Sequence, residues 1–260
     1  MIRIARTAEP PALAKTREEQ LSRARALVAL GEKPTLTGYD VAKPALFDMQ
    51  HRKCCYCEKL EEQAKYRDVE HYRPKSIYWW LTWSWENLLF ACVDCNREHK
   101  KGQFPLVDET KRLQAEDDPP QGEQPLILDP CGAESNPLLE IDFRRERVGG
   151  LERWRPHGTT PRGWKTIEVC GLDRPTLLDL YRAHVNDRVR PRAEEVLEAH
   201  GRGDARSVVQ LWSRANRSLL GPYRPFRSLS HHALAVLVSP DVRATYQLDL
   251  ALRSLAGQFA

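Results

Sequence analysis

Four cysteines set the first chemical constraint: Cys54 and Cys57 form one Cys-x-x-Cys pair, and Cys92 and Cys95 form a second. A Cys-x-x-Cys turn puts two thiolates on one edge of a metal ion, and two such turns complete tetrahedral zinc coordination. One pair alone would read equally well as a redox motif. Two pairs bracketing one compact segment point to zinc, with buried free thiols as the blander reading. The run Cys54-Cys55-Tyr56-Cys57 offers three sulfurs, of which only Cys54 and Cys57 have the two-residue gap. A closed site of four thiolates keeps no open coordination position, so this zinc is expected to hold the fold and perform no chemistry. Cys55, Cys131 and Cys170 read as small buried or partly exposed thiols.

Between the pairs lies Val69-Glu70-His71-Tyr72-Arg73-Pro74-Lys75, then Trp85-Glu86-Asn87-Leu88, and the second pair continues as Cys95-Asn96-Arg97-Glu98-His99-Lys100-Lys101. These residue types suit phosphodiester hydrolysis, which needs a base to activate water and a divalent ion to take up charge. Adjacent strand residues point to opposite faces, so Glu70 could face the ion while His71 faces substrate. A twist at the strand end could instead bring both near the ion. Asn96, at a helix start, can supply an oxygen ligand, and His99 is the alternative on the same helix face. Asn87 can bond backbone groups across the intervening loop and hold the imidazole in place. Lys75, Arg97, Lys100 and Lys101 are candidate phosphate contacts, with solvated surface as their other reading. Mg2+ or Mn2+ suits the oxygen ligands, whereas an added histidine would favour Ni2+ or Zn2+.

The order Cys-x-x-Cys, Glu70-His71-x-x-Pro74, Asn87-Leu88, Cys92-x-x-Cys95-Asn96-x-x-x-Lys100 resembles the zinc-stabilised HNH endonucleases. The resemblance implies a ββα-metal fold with His71 as general base and Asn87 as the central asparagine. It also implies Asn96 as a ligand of the catalytic ion, and Glu70 stands where that family more often has Asp. Met1-Ile2-Arg3-Ile4 with Pro11-x-Leu13, Cys-x-Tyr56-Cys57-Glu58, Glu70-His71-Tyr72-Arg73-Pro74-Lys75 and Ile127-Leu128-Asp129-Pro130 are similar to the HNH subunit of Septu-type anti-phage systems. Related subunits accompany some retrons. The likeness spans about residues 1–185 and implies an ABC-type ATPase partner.

Positioning such a site takes an α+β, predominantly helical chain. A segment from Leu13 to Leu30 has apolar residues at helical spacing, with Thr16-Arg17-Glu18-Glu19 as a capping box and Gly31 as its stop. Pro44–Arg52 reads as a short second helix, Asp108–Gln124 as an exposed loop, and Pro125–Pro130 as a strand stopped by proline. Ile141–Arg147 and Leu151–Arg155 flank Gly149-Gly150 like a hairpin. Helices are expected over Thr166–Cys170, Arg174–Ala199 with a break at Pro191, Asp204–Leu219, His231–Val238 and Pro240–Phe259. This divides the chain into an N-terminal helical segment (1–50), a zinc-framed nuclease module (51–131) and a mainly helical region (132–260). Leu248, Leu252, Leu255 and Phe259 make an apolar stripe on the last helix, and this region is expected to carry partner docking. Trp79, Trp83 and Trp85 are expected in the core rather than on bases, and His231-His232 on a helix surface.

Composition agrees with a nuclease without demanding one. Apolar residues make up 41% and charged residues 29%, which excludes a membrane or disordered chain. No run of about 18 apolar residues occurs and the N-terminus lacks a signal-peptide core, so the chain is expected in the cytoplasm. The net charge of +4 is a weak signal; residues 144–192, with twelve Arg/Lys against six Asp/Glu, concentrate it. The expected activity is endonucleolytic, on DNA in preference to RNA, within an anti-phage complex. The alternative is a non-catalytic zinc ribbon that binds nucleic acid or protein. A ribbon needs the cysteines but has no need of Glu70, His71, Asn87 and Asn96 where they stand.

Overall fold

The computed structural model describes residues 1–64, 67–114, 116, 122–133 and 135–250. The chain is α+β and about half helical. Helix α1 (Pro11–Ala29) opens on a proline, whose missing N–H costs nothing in a first turn. Thr16 therefore lies inside the helix and donates to the Ala12 carbonyl at 2.9 Å, which corrects the expected capping box. Helix α2 (Lys43–Met49) leads into the first cysteine pair.

Strands β1 (Asp68–His71) and β2 (Leu88–Ala91) pair antiparallel, with Glu70 opposite Leu89 and His71 opposite Leu88. The run Leu88-Leu89-Phe90-Ala91 is unbroken apolar because both faces of this hairpin are covered. Leu88 and Phe90 join Val69, Trp83 and Trp85 against α1 and α2. Leu89 and Ala91 join the cysteines and the C-terminal helices. Gln50 stitches α2 to the strand, its amide donating to the Phe90 carbonyl and accepting from the Phe90 N–H, both at 2.7 Å. A wide, π-type helix, Asp94–Lys100, follows β2 directly. Trp83 and Trp85 are buried as expected, their indole N–H groups donating to the Thr37 and Thr7 carbonyls.

The expected strand at Pro125–Pro130 forms only an isolated bridge, Leu106 to Pro125. Ile127 and Leu128 are fully buried, but side chains satisfy their backbone: Tyr72 donates to the Ile127 carbonyl and Leu128 N–H donates to Thr166. The loop before it is not wholly exposed either. Glu123 is buried, paired with Arg73 at 2.7 Å and accepting from the Tyr78 hydroxyl. Residues 115 and 117–121 of that loop lie outside the described residues.

After α3 (Pro137–Glu140), strands β3 (Ile141–Val148) and β4 (Leu151–Gly158) form the expected hairpin about Gly149-Gly150, both glycines at positive φ as a two-residue primed turn demands. Helices α4 (Pro161–Cys170) and α5 (Pro175–His184) follow, the latter continuing through π-type turns at Val185–Val189 into α6 (Arg190–Gly201). The break expected at Pro191 is thus a widened turn, which accommodates a ring without an N–H and lets the helix run on. Helices α7 (Ala205–Leu220) and α8 (Arg227–Leu237) come next, and α8 starts a turn before the expected His231. His231 and His232 are half-buried rather than on an open surface. Helix α9 (Pro240–Thr245) is short because Gln247 turns left-handed. Leu248 packs into the core, while Leu252, Leu255 and Phe259 of the expected stripe lie outside the described residues.

One buried apolar cluster runs from Met1 through the four cysteines and the second hairpin to Leu248. Helices α1 and α2 pack on the first hairpin in a second cluster, while the cysteines and the C-terminal helices therefore share one core. One contact across it is testable: Gly171 ends α4 at φ +57°, and a Cβ there would sit 2.3 Å from His99 Nδ1. Gly171→Ala is expected to cost roughly 1–3 kcal/mol in urea unfolding, through the strained backbone and the clash. The same substitution in a His99→Ala background should lose only the backbone share.

Candidate active site

The four cysteines of the two Cys-x-x-Cys pairs meet in one cluster. The Sγ atoms of Cys54, Cys57, Cys92 and Cys95 all lie within 4.8 Å of one another, and all four residues are buried. Cys57 and Cys92 approach to 3.8 Å across the two knuckles. Burial pushes the Cys54 thiol up, but hydrogen bonds from the surrounding thiols outweigh it and hold Cys54 well below its ordinary range. Four soft donors in a closed, dry cluster fit zinc. Arg174, from the turn between α4 and α5, sits 3.5 Å from Cys95 Sγ and 3.5 Å from Asp94. The turn between α4 and α5 thus supplies a positive charge beside the four-sulfur cluster. Cys55 and Cys170 are buried with thiols raised by that burial, and both fall outside the four-sulfur cluster.

Strand β1 carries His71 at its end, where its Nε2 lies 3.0 Å from the Thr82 carbonyl. A carbonyl only accepts, so Nε2 bears the hydrogen and Nδ1 keeps its lone pair. Burial, reinforced by the Lys75 and Lys100 charges, pulls the imidazole down to about 4, so it is neutral at physiological pH. The Tyr39 ring packs edge-on against it, with centroids 4.7 Å apart. Asn87 bonds backbone groups on both sides of the loop between the strands. Its Oδ1 accepts from Arg73 N–H at 2.8 Å, and its Nδ2 donates to the Arg73 and Leu81 carbonyls. It clamps the ends of the loop that carries Thr82 back onto His71.

His71 borders a cavity of about 490 Å³ shared by Asp68, Glu70, Lys75, Asn96, Arg97 and Lys101. The 1–50 segment supplies another wall through Tyr39, Asp40 and Lys43. Asn96 donates to Asp68 Oδ2 at 3.1 Å, which commits its amide nitrogen and leaves its carbonyl oxygen for another partner. Arg97 grips the same Asp68 through both oxygens, at 2.6 and 2.8 Å. Asp68 was legible only as the residue two before Glu70, on the same strand face. Lys75 donates to the Tyr39 hydroxyl at 2.6 Å and keeps its place on the cavity wall.

Two expectations are corrected. Lys100 is fully buried, ion-paired with Glu70 at 2.6 Å, so it does not present its ammonium to a phosphate. The last turn of a short helix points it into the hairpin rather than out to solvent. His99 packs its ring on Gly171 instead of lining the cavity, whose wall that helix forms through Asn96 and Arg97. Glu70 itself is buried, and desolvation raises its carboxyl above the ordinary value against the pull of Lys100 and Tyr56. The cavity therefore gathers a carboxylate oxygen and an amide oxygen, the hard donors that Mg2+ or Mn2+ takes.

No family model matches the chain. It is 31% identical over 221 residues to Septu protein PtuB of Bacillus mycoides (strain KBAB4), covering 76% of this chain and 71% of that protein. It is 40% identical over 77 residues to Septu protein PtuB of Bacillus thuringiensis, covering 28% of this chain and 30% of the other. A weaker likeness, 24% over 141 residues, links 49% of the chain to 18% of Septu protein PtuA of Bacillus mycoides (strain KBAB4). Among the described residues, no helix is long and apolar enough to cross a membrane. By an identity that holds across more than two thirds of both sequences, the chain belongs to the Septu protein PtuB family.

Proposed function

We propose that this chain is the nuclease subunit of an anti-phage defence complex, an HNH-type endonuclease that hydrolyses phosphodiester bonds, with DNA as substrate. The observation that carries the reading is the placement of His71: Nε2 lies 3.0 Å from the Thr82 carbonyl, which leaves Nδ1 as the nitrogen able to take a proton, beside a cavity lined by Glu70 and Asn96. Nδ1 accepts a proton from water as that water attacks phosphorus, and the bond from phosphorus to the leaving oxygen breaks, the leaving oxygen keeping the electron pair and taking a proton from solvent. Asn87 keeps the imidazole aimed by holding the loop that bears Thr82. Lys43, Lys75, Arg97 and Lys101 border the path of the phosphate backbone. A divalent ion held by Glu70 and the Asn96 amide oxygen would supply charge stabilisation on the scissile phosphate.

The test is nicking of supercoiled plasmid by the purified chain, alone and mixed with an ABC-type ATPase encoded beside it, in Mg2+ and in Mn2+. Cleavage that persists in chelator, or no cleavage under any of these conditions, would remove the reading. The proposed docking region for the ATPase is residues 160–260, where Leu180, Val209 and Val236 are exposed apolar side chains on α5, α7 and α8. Because these helices share a core with the cysteines, truncation is a poor probe, and surface substitution serves better. Leu180→Glu, Val209→Glu and Val236→Glu together are expected to weaken ATPase capture at least tenfold, by burying charge in an apolar contact, with zinc content unchanged. Undiminished capture would move the docking surface elsewhere.

A further inference from the structure

Tyr56 stands between Cys54 and Cys57 in the first knuckle, and its hydroxyl donates to Glu70 Oε1 at 3.1 Å. Lys100 closes the helix that grows from the second knuckle, and its ammonium reaches the same Oε1 at 2.6 Å. The same ammonium donates to the His71 carbonyl at 3.0 Å. Tyr56 and Lys100 are fully buried and Glu70 nearly so, which leaves no room for water to stand in for either partner. A lysine is kept in such a place only when paired. Each cysteine pair thus sends one side chain to a single oxygen of one carboxylate.

We infer that the two zinc knuckles are the positioning device of Glu70, with Tyr56 and Lys100 fixing Oε1 so that Oε2 is presented to a divalent cation. The inference rests on the nuclease reading above. A glutamate free to rotate about its side-chain bonds would lose that freedom each time a cation bound, and these two buried tethers remove the cost in advance. The four-cysteine site then does more than hold a fold: it sets the geometry of the cation site without ligating that cation. Lys100 also binds the backbone of His71, so the carboxylate and the base are registered to each other through one ammonium.

The test is direct Mn2+ binding to the zinc-loaded full chain, followed by electron paramagnetic resonance of the free ion and needing no turnover. Tyr56→Phe removes one hydroxyl, keeps the ring and changes no charge, and is expected to weaken Mn2+ binding roughly tenfold, the lower range for loss of an outer partner of a metal ligand. One zinc per chain should remain. Lys100→Arg keeps the charge but alters its reach, and the same direction is expected. It stands in should Tyr56→Phe lose zinc. Tyr72→Phe is the control: Tyr72 is also buried, but its hydroxyl donates to the Ile127 carbonyl at 2.8 Å and not to Glu70, so Mn2+ affinity should not move. Unchanged affinity in Tyr56→Phe, or an equal loss in Tyr72→Phe, would overturn the inference. A wild-type chain that binds no Mn2+ would instead bring down the nuclease reading beneath it.

Discussion

His71→Ala is expected to abolish plasmid cleavage, by roughly 10²–10⁴-fold, the range for a removed general base, with zinc content and Mn2+ binding retained. The reason lies in the tautomer: the Thr82 carbonyl fixes the hydrogen on Nε2, so Nδ1 is the nitrogen able to accept a proton. Removing the ring of a residue with only 7% of its surface exposed also opens a cavity. A loss of activity caused by collapse would therefore show as a lowered unfolding midpoint. His71→Gln, which fills more of the space, separates the two, because it should be as inactive as alanine with a smaller loss of stability. Cleavage at the wild-type rate in either variant would place the chemistry elsewhere.

Stripping the zinc is expected to have the largest effect on the fold. Binding to four thiolates contributes roughly 10–16 kcal/mol in zinc-finger peptides, comparable with the whole stability of roughly 5–15 kcal/mol of a globular protein. Here the four cysteines lie in the same apolar cluster as the second hairpin and the C-terminal helices, so loss of the site should spread. Cys92→Ser is expected to lack a cooperative thermal transition and to expose tryptophan fluorescence, because Trp83 and Trp85 leave a core they now share with β2. Metal analysis should return one zinc per wild-type chain and less in the variant. Wild-type protein without zinc that still melts cooperatively would refute the frame.

The sequence by itself determined what local rules can carry. Cys-x-x-Cys spacing fixed which four thiols meet, because each turn is closed by its own backbone. Gly149-Gly150 announced the hairpin, since few other residues take two consecutive positive φ angles. Asn87 was legible as a loop clamp because an amide offers the backbone both a donor and an acceptor. What the sequence left open depended on direction. Lys100 reads as a cation next to Arg97 and Lys101, but a widened helical turn and the closeness of β1 send it inward to Glu70. His99 stood as the lesser alternative to Asn96, and Gly171, far along the chain, gives its ring a seat away from the cavity. The Tyr39 wall of the cavity and the Asp68 grip on Asn96 come from segments that meet only when the hairpin is covered on both faces. Residue types and spacing select the chemistry, because they act within a turn or a strand. The tertiary packing decides which carboxylate, cation or imidazole is turned toward the cavity, because a side chain's direction is set by what buries its neighbours.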